Sequence, residues 1–168
     1  YSKHALRGGK GTNLALKYSP PFNGMDDDIH KSTYRIGLAK EKIARLYPGP
    51  DCDVACRYLD RLRLKNRSYG RIASYAESIC RILAISGTPV TKWTRKDVER
   101  IHREIADSKY ANSVKKDTLT ALKRIYHFAK HDDIPTSGVG AGYDPVVAWI
   151  TPGSFADKHH KIQPMDLL

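Results

Sequence analysis

The chain has 168 residues and a mass of 18.9 kDa, the size of one ordinary domain, and its 40% hydrophobic content can supply a real core, which excludes wholesale disorder. Lys+Arg number 29 against 18 Asp+Glu, a formal net charge of +11 with a pI near 9.6, so a polyanionic partner is favoured, nucleic acid ahead of an anionic membrane surface. No apolar run approaches the roughly 18 residues of a spanning helix, and Cys52, Cys56 and Cys80 cannot complete a disulfide framework, so the expected setting is soluble, reducing and cytoplasmic, nucleoid-associated when bound to DNA.

Residues 1–28 carry Gly8, Gly9, Gly11, Pro20, Pro21 and Gly24 with an Asp26-Asp27-Asp28 run and no apolar periodicity, which predicts a loop or loose arm. The start at Tyr1 rather than Met points to a fragment or a processed product. A helix is predicted from Ile29 to about Leu46, stopped by Tyr47-Pro48-Gly49-Pro50. That breaker is the expected domain boundary, dividing an N-terminal arm or extra helix over 1–50 from a helical domain over 51–150.

Four amphipathic segments follow. About Asp51–Lys65 places Val54, Tyr58, Leu59 and Leu62 on one face, with Asp51 and Asp53 near the positive N-terminal end of the helix. The next runs from Ser68 as N-cap to about Ser86, with Gly87 as C-cap and an inward stripe of Ile72, Tyr75, Ala76, Ile79, Ile82 and Leu83. The third starts at Thr94, where Asp97 offers a variant of the capping box, and buries Val98, Ile101 and Ile105. The fourth covers Ser113 to about Lys130, with Leu119, Leu122, Ile125 and Tyr126 inward. Strand-like alternation and internal repeats are absent, so the predicted class is all-α, a bundle of four to five short helices. After His131 come Gly138, Gly140, Gly142 and Pro145, then the apolar Val146–Ile150 piece, and 151–168 reads as a linker.

The charge is uneven. Residues 1–50 hold nine Lys/Arg against four Asp/Glu, a net of +5; residues 51–130 hold eighteen against nine, a net of +9; residues 131–168 hold two against five, a net of −3. The excess therefore rides on the helical block. Arg67, Arg71, Ser74 and Ser78 recur along one flank of the second of the four segments, and Lys116, Thr120, Lys123, His127 and Lys130 along one flank of the fourth. Two such stripes beside a common core can present cations and hydroxyls to a duplex, although a charged helix face is more often simply solvated.

Other strings carry less. Gly8-Gly9-Lys10-Gly11-Thr12 lacks the spacing of a phosphate-binding loop, and His4-Ala-Leu-Arg7 has no partners. Cys52 and Cys56 share a helix face without a second Cys/His pair, and His159-His160 is equally isolated, so no metal, cofactor or catalytic residue is assigned.

Three successive strings carry a resemblance. They are Ser68, Ile72, Tyr75, Ile79, Ile82 and Leu83; then Trp93, Thr94, Asp97, Val98, Ile101 and Ile105; then Leu119-Thr120-Ala121-Leu122-Lys123 with Ile125, Tyr126 and Phe128. In this order and spacing they resemble the core-binding (SAM-like) domain of tyrosine recombinases, the lambda-type phage integrases, whose helices read roughly S-x-x-T-I-x-x-Y, L-T-x-x-D-V-x-x-F and L-S-A-L-R-x-F-Y-x-F. Asp144-Pro145 and the closing Gln163–Leu168 stand where that family has an Asn-Pro step and an entry into its catalytic domain, so the resemblance spans Asp51–Leu168. Arg71 stands where the family often has Thr, residues 131–143 are longer and richer in Gly than the family's turn, and residues 1–50 have no counterpart.

The resemblance implies a domain that clamps duplex DNA for strand exchange. The tyrosine nucleophile and the other catalytic groups lie in a C-terminal domain not included here, the chemistry needs no metal or nucleotide, and the full enzyme assembles as a tetramer on DNA. The residues expected to meet the DNA backbone are Arg67, Ser68, Arg71, Lys115, Lys116, Lys123 and Lys130. A helix-turn-helix regulator is the nearest alternative, but the Gly87–Trp93 and Asp107–Asn112 connections are poor candidates for its tight turn. A protein-interaction bundle would instead expose an apolar patch such as Val146–Ile150.

Overall fold

The computed structural model describes residues 24–135 and 142–155, and every regular element within them is helical. Helices α1 (Gly24–Leu46), α2 (Pro50–Leu64), α3 (Tyr69–Ser86), α4 (Arg95–Asp107) and α5 (Asn112–His131) build the bundle, and α6 (Pro145–Ala148) is one turn. Short 3₁₀ turns occupy Val90–Lys92 and Pro152–Phe155. The protein is thus the all-α bundle expected from the periodicity, and no helix among the described residues is long and apolar enough to cross a membrane. The arm over 1–23, with the His4–Arg7 and Gly8–Thr12 strings, and the tail beyond Phe155 lie outside the described residues.

The local signals explain the helix ends. Pro50 opens α2 at a position where its missing N–H is no loss, and Gly49 precedes it at φ 90°, a value that an L side chain adopts only under strain. Ser68 caps α3 by accepting from the Arg71 N–H at 3.3 Å, and Gly87 ends the helix in the left-handed region at φ 71°. At α4 the capping box closes in both directions: Asp97 N–H donates to Thr94 Oγ1 at 3.4 Å, and Thr94 N–H donates to Asp97 Oδ2 at 2.8 Å. Asp132 ends α5 at φ 51°.

Helix α3 sits at the centre, with α1, α2, α4 and α5 all packed against it. Its buried residues, including Ile72, Ala73, Ala76, Ile79 and Ile82, therefore occupy more of its circumference than a one-sided surface helix would need. Tyr58, Leu59, Leu62, Leu119, Leu122 and Phe128 complete the inner layer from α2 and α5. Each large apolar side chain buried in this way contributes roughly 1.5–3 kcal/mol relative to leaving it in water.

Three expectations change. The Tyr47–Pro50 breaker separates two helices and not two cores: Ile36, Ala39 and Ile43 of α1 lie in the same hydrophobic cluster as α2 and α3. Arg35 reinforces that packing with a two-pronged bond to Glu77, at 2.7 and 2.8 Å. Helix α1 also begins at Gly24, taking in the Asp26–Asp28 run expected to be loop. Finally, the Val146–Ile150 piece is no exposed patch, because Val147 and Ile150 are fully buried. This segment runs antiparallel to α5. Asp144 meets His127 and His131 near the end of that helix, and the Ala148 and Ile150 carbonyls meet Lys123 further back.

Candidate nucleic-acid interface

The seven expected contact residues separate into two groups. Arg67 sits in the α2–α3 turn with its side chain exposed, and Ser68 follows it, its hydroxyl oxygen accepting the capping bond. Arg71 lies on the first turn of α3 and is exposed, with its guanidinium over the Tyr75 ring at 5.9 Å. Lys116, on the first turns of α5, is exposed, and its ammonium makes no hydrogen bond or ion pair to another described residue. Arg71 and Lys116 meet across a cleft of about 180 Å³ between α3 and α5, lined also by Ser74, Tyr75, Asp117 and Thr120. The Thr120 hydroxyl donates back to the Lys116 carbonyl at 2.9 Å, whereas the Ser74 hydroxyl has no partner among the described residues.

The other lysines serve the fold. Lys115 Nζ donates to the Ala106 carbonyl at 2.8 Å, closing the α4–α5 corner. Lys123 is half-buried: its ammonium donates to the Ile150 carbonyl at 3.2 Å and the Ala148 carbonyl at 3.5 Å, and stands 4.5 Å from the Tyr143 ring centre. Burial, helped by the neighbouring Arg124, holds its pKa below the usual lysine value. Lys130 donates to the Thr91 carbonyl at 2.9 Å and lies over the Tyr126 ring. His127, expected on the same stripe, is buried and accepts the Asp144 N–H on Nδ1 at 2.9 Å. Ser78 is likewise buried, so the stripe on α3 stops at Ser74. The segment after Gly142 folds back over the C-terminal half of the α5 face and takes up these side chains.

Tyr75 is buried in the core, as its place on the inward stripe predicts, and it also lines the cleft and carries the guanidinium of Arg124 at 5.5 Å. Arg124 is half-buried beside the Tyr58 hydroxyl, which helps hold its guanidinium charged. Burial pushes the Tyr58 hydroxyl well above the ordinary tyrosine range, keeping it neutral. Within a helix, positions 123 and 124 differ by one step, and only the tertiary packing tells which turns toward Tyr75.

No group of three or more His, Cys, Asp or Glu among the described residues could hold a metal ion. Cys52 and Cys56 stand 4.0 Å apart on α2, but burial, followed by the neighbouring Cys52, pushes the Cys56 thiol up, away from the thiolate that ligation or nucleophilic attack requires.

The folded-back segment introduces a pH dependence. Burial, then the adjacent His131, lowers the His127 pKa below 6.5, against the opposing pull of Asp133 and Asp144. Burial also lowers His102, which packs against Trp149 at 4.9 Å. Partial burial works against the ionised form of Asp144, but its bonds to His131 and the Val146 N–H hold it below 3.8. Both histidines are favoured neutral in the fold, so their contribution is present above pH 6.5 and lost as pH falls through their lowered values; Asp144 matters only below about 3.8. The urea midpoint is therefore expected to fall between pH 7 and pH 5, and His127→Asn, which keeps an acceptor but cannot titrate, should reduce that slope. An identical slope in the variant would mean that His127 does not carry the effect.

Arg71 and Lys116 are thus exposed cations with no ion pair in the described fold that line one cleft between α3 and α5, whereas Lys123, His127 and Lys130 of the α5 stripe are committed to holding the chain on itself. No protein-family model, curated protein or solved structure matches the chain.

Proposed function

We propose that this chain is a DNA-binding domain of the core-binding type found in tyrosine recombinases, gripping duplex DNA for strand exchange carried out by a separate catalytic domain. The observation that carries this reading is the α3–α5 cleft, lined by Arg71, Lys116 and Ser74, whose side chains make no hydrogen bond or ion pair among the described residues. Arg67, exposed in the turn before α3, stands one helical turn ahead of Arg71 in sequence. Cations so placed can displace condensed counterions, and the hydroxyl can bond phosphate oxygens and help fix register. The order of the Ser68–Leu83, Trp93–Ile105 and Leu119–Phe128 strings supplies the family assignment, and with it the tetrameric assembly on DNA expected of the full enzyme.

The geometry sharpens the salt dependence. All six named cations engaged together would give a steep slope, but Lys115, Lys123 and Lys130 already hold backbone carbonyls. With Arg67, Arg71 and Lys116 meeting phosphates, log affinity should fall against log salt with a slope of about −3. Fluorescence anisotropy of a labelled duplex between low and moderate salt measures this directly, and a flat line would remove the DNA reading.

A further inference from the structure

We propose that the outer face of α1 is a two-fold contact through which two copies of this chain pair, their first helices antiparallel. Seven large hydrophobic side chains are exposed among the described residues, and four of them (Ile29, Tyr34, Leu38 and Leu46) lie on this one helix. Scattered singly they would need no cause, but gathered in this way they mark a surface that something covers. Ile36, Ala39 and Ile43 point into the core. On the opposite side Lys31, Tyr34, Leu38, Glu41 and Arg45 are all exposed, at alternating steps of three and four residues. That spacing keeps one seam of a helix turned toward another helix along its length. Tyr34 and Leu38 hold the middle of the seam, and the charged residues flank them. Beside Leu38 the surface opens into a hollow of about 710 Å³, lined also by Glu41, Lys42, Ala44 and Arg45.

The occupant is a second copy because the seam is its own complement. With a two-fold axis at the level of Ile36, Tyr34 falls opposite Leu38 of the other copy, Lys31 opposite Glu41, and Asp28 on the flank opposite Lys42, each pair being made twice. A parallel pairing would instead set Lys31 and Glu41 against their own copies. Antiparallel, the Tyr34 ring reaches the hollow beside Leu38 of the other copy, and the acidic start of each helix meets the basic end of its partner. Gly37 is the second observation. It is exposed in mid-helix, and a Cβ added there would meet nothing within 4 Å, so the fold itself has no use for a glycine that costs backbone entropy. In the paired helices the two Gly37 residues flank the axis, where missing side chains let the backbones approach. Arg35 also comes near its own copy, but its charge is already matched by Glu77. None of the seam residues lines the α3–α5 cleft, so a dimer carries two clefts, and the contact is independent of the DNA-binding reading.

Sedimentation velocity of the whole chain without DNA tests the pairing. One helix per copy makes a small interface of the weak, reversible class, so dimer should grow in as concentration rises from about 10 μM to about 1 mM. It should stop at two, since a two-fold contact closes on itself. Lys31→Glu and Glu41→Lys, each alone, set like charges across both copies of one pair and should weaken the dimer about tenfold or more. Mixing the two variants should restore a dimer with one of each, and the double variant should restore it with itself. Positions 31 and 41 are about 15 Å apart along one helix, so no pairing within a chain can mimic that rescue. Circular dichroism checks that every variant keeps its helices. A chain that stays monomeric over this range, or that grows past two, overturns the proposal. So does a dimer indifferent to the single reversals, or a mixture of the two variants that fails to pair.

Discussion

Phe128→Ala is expected to destabilise the fold by about 3–5 kcal/mol, a large part of the roughly 5–15 kcal/mol available to a domain of this kind. Phe128 is 1% exposed, and its ring meets that of Tyr58 edge-on, with centroids 5.4 Å apart. The guanidiniums of Arg57 and Arg61 stand over it at 5.6 and 5.7 Å, and the same two arginines pair with Asp132, which ends α5 in the left-handed conformation. Truncating the ring therefore leaves a cavity at the α2–α5 contact and also removes the surface that orients two exposed cations toward a helix terminus. Urea denaturation should show the loss as a lower midpoint at unchanged slope. Phe128→Leu, which conserves most of the volume, should cost less than half as much. Equal losses in the two variants would show that ring packing is not the source.

Reversing charge on both sides of the cleft, Arg71→Glu with Lys116→Glu, is expected to lower affinity for any duplex by at least a hundredfold at low salt. Removing two charge-assisted contacts accounts for roughly 3–6 kcal/mol, and the new carboxylates add repulsion against a phosphate row. Both side chains are exposed and make no hydrogen bond or ion pair within the described fold, so stability should change little. The control is Lys123→Gln. Its ammonium holds the Ala148 and Ile150 carbonyls, so that variant should loosen the segment after Gly142 and lower thermal stability while leaving the salt slope near its original value. If Lys123→Gln instead flattens the slope as much as the double reversal, the interface has been placed on the wrong half of α5.

Local grammar made the bundle legible. Ser68, Gly87, Thr94 with Asp97, and Pro50 each mark a helix end by a bond or a dihedral that the residue type dictates, and the helices stop within a residue or two of those marks. The apolar stripes of α3 and α5 likewise identified the side facing the core. Contacts between segments distant in sequence were not legible. Nothing in the Tyr47–Pro50 breaker announces that Ile36 and Ile43 return to the shared core, because a turn and a linker use the same residues. The site suffered for the same reason. Lys116 and Lys123 are indistinguishable by helical phase, and only the segment docked along α5, with Trp149 held between His102 and Arg95, decides that one faces solvent and the other a pair of carbonyls. The sequence neighbours of Arg124 give no hint of the tyrosines gathered around it from α2, α3 and the turn before Pro145.

The bonds from cations to backbone carbonyls have a consequence of their own. Lys65 reaches Ile134, Arg100 reaches Ile85 and Ser86, Lys115 reaches Ala106, Lys123 reaches Ala148 and Ile150, and Lys130 reaches Thr91, so each connection between helices from α3 onward, and the closing segment, is pinned by a side chain from elsewhere in the chain. Acylation of the lysine amines would therefore act on the architecture as well as on the surface potential: the neutral amide keeps one donor where the ammonium had three, and the pins over the α4–α5 corner and the trailing segment would slacken together. In this molecule much of the positive charge is mortar, and only the remainder is available to a ligand.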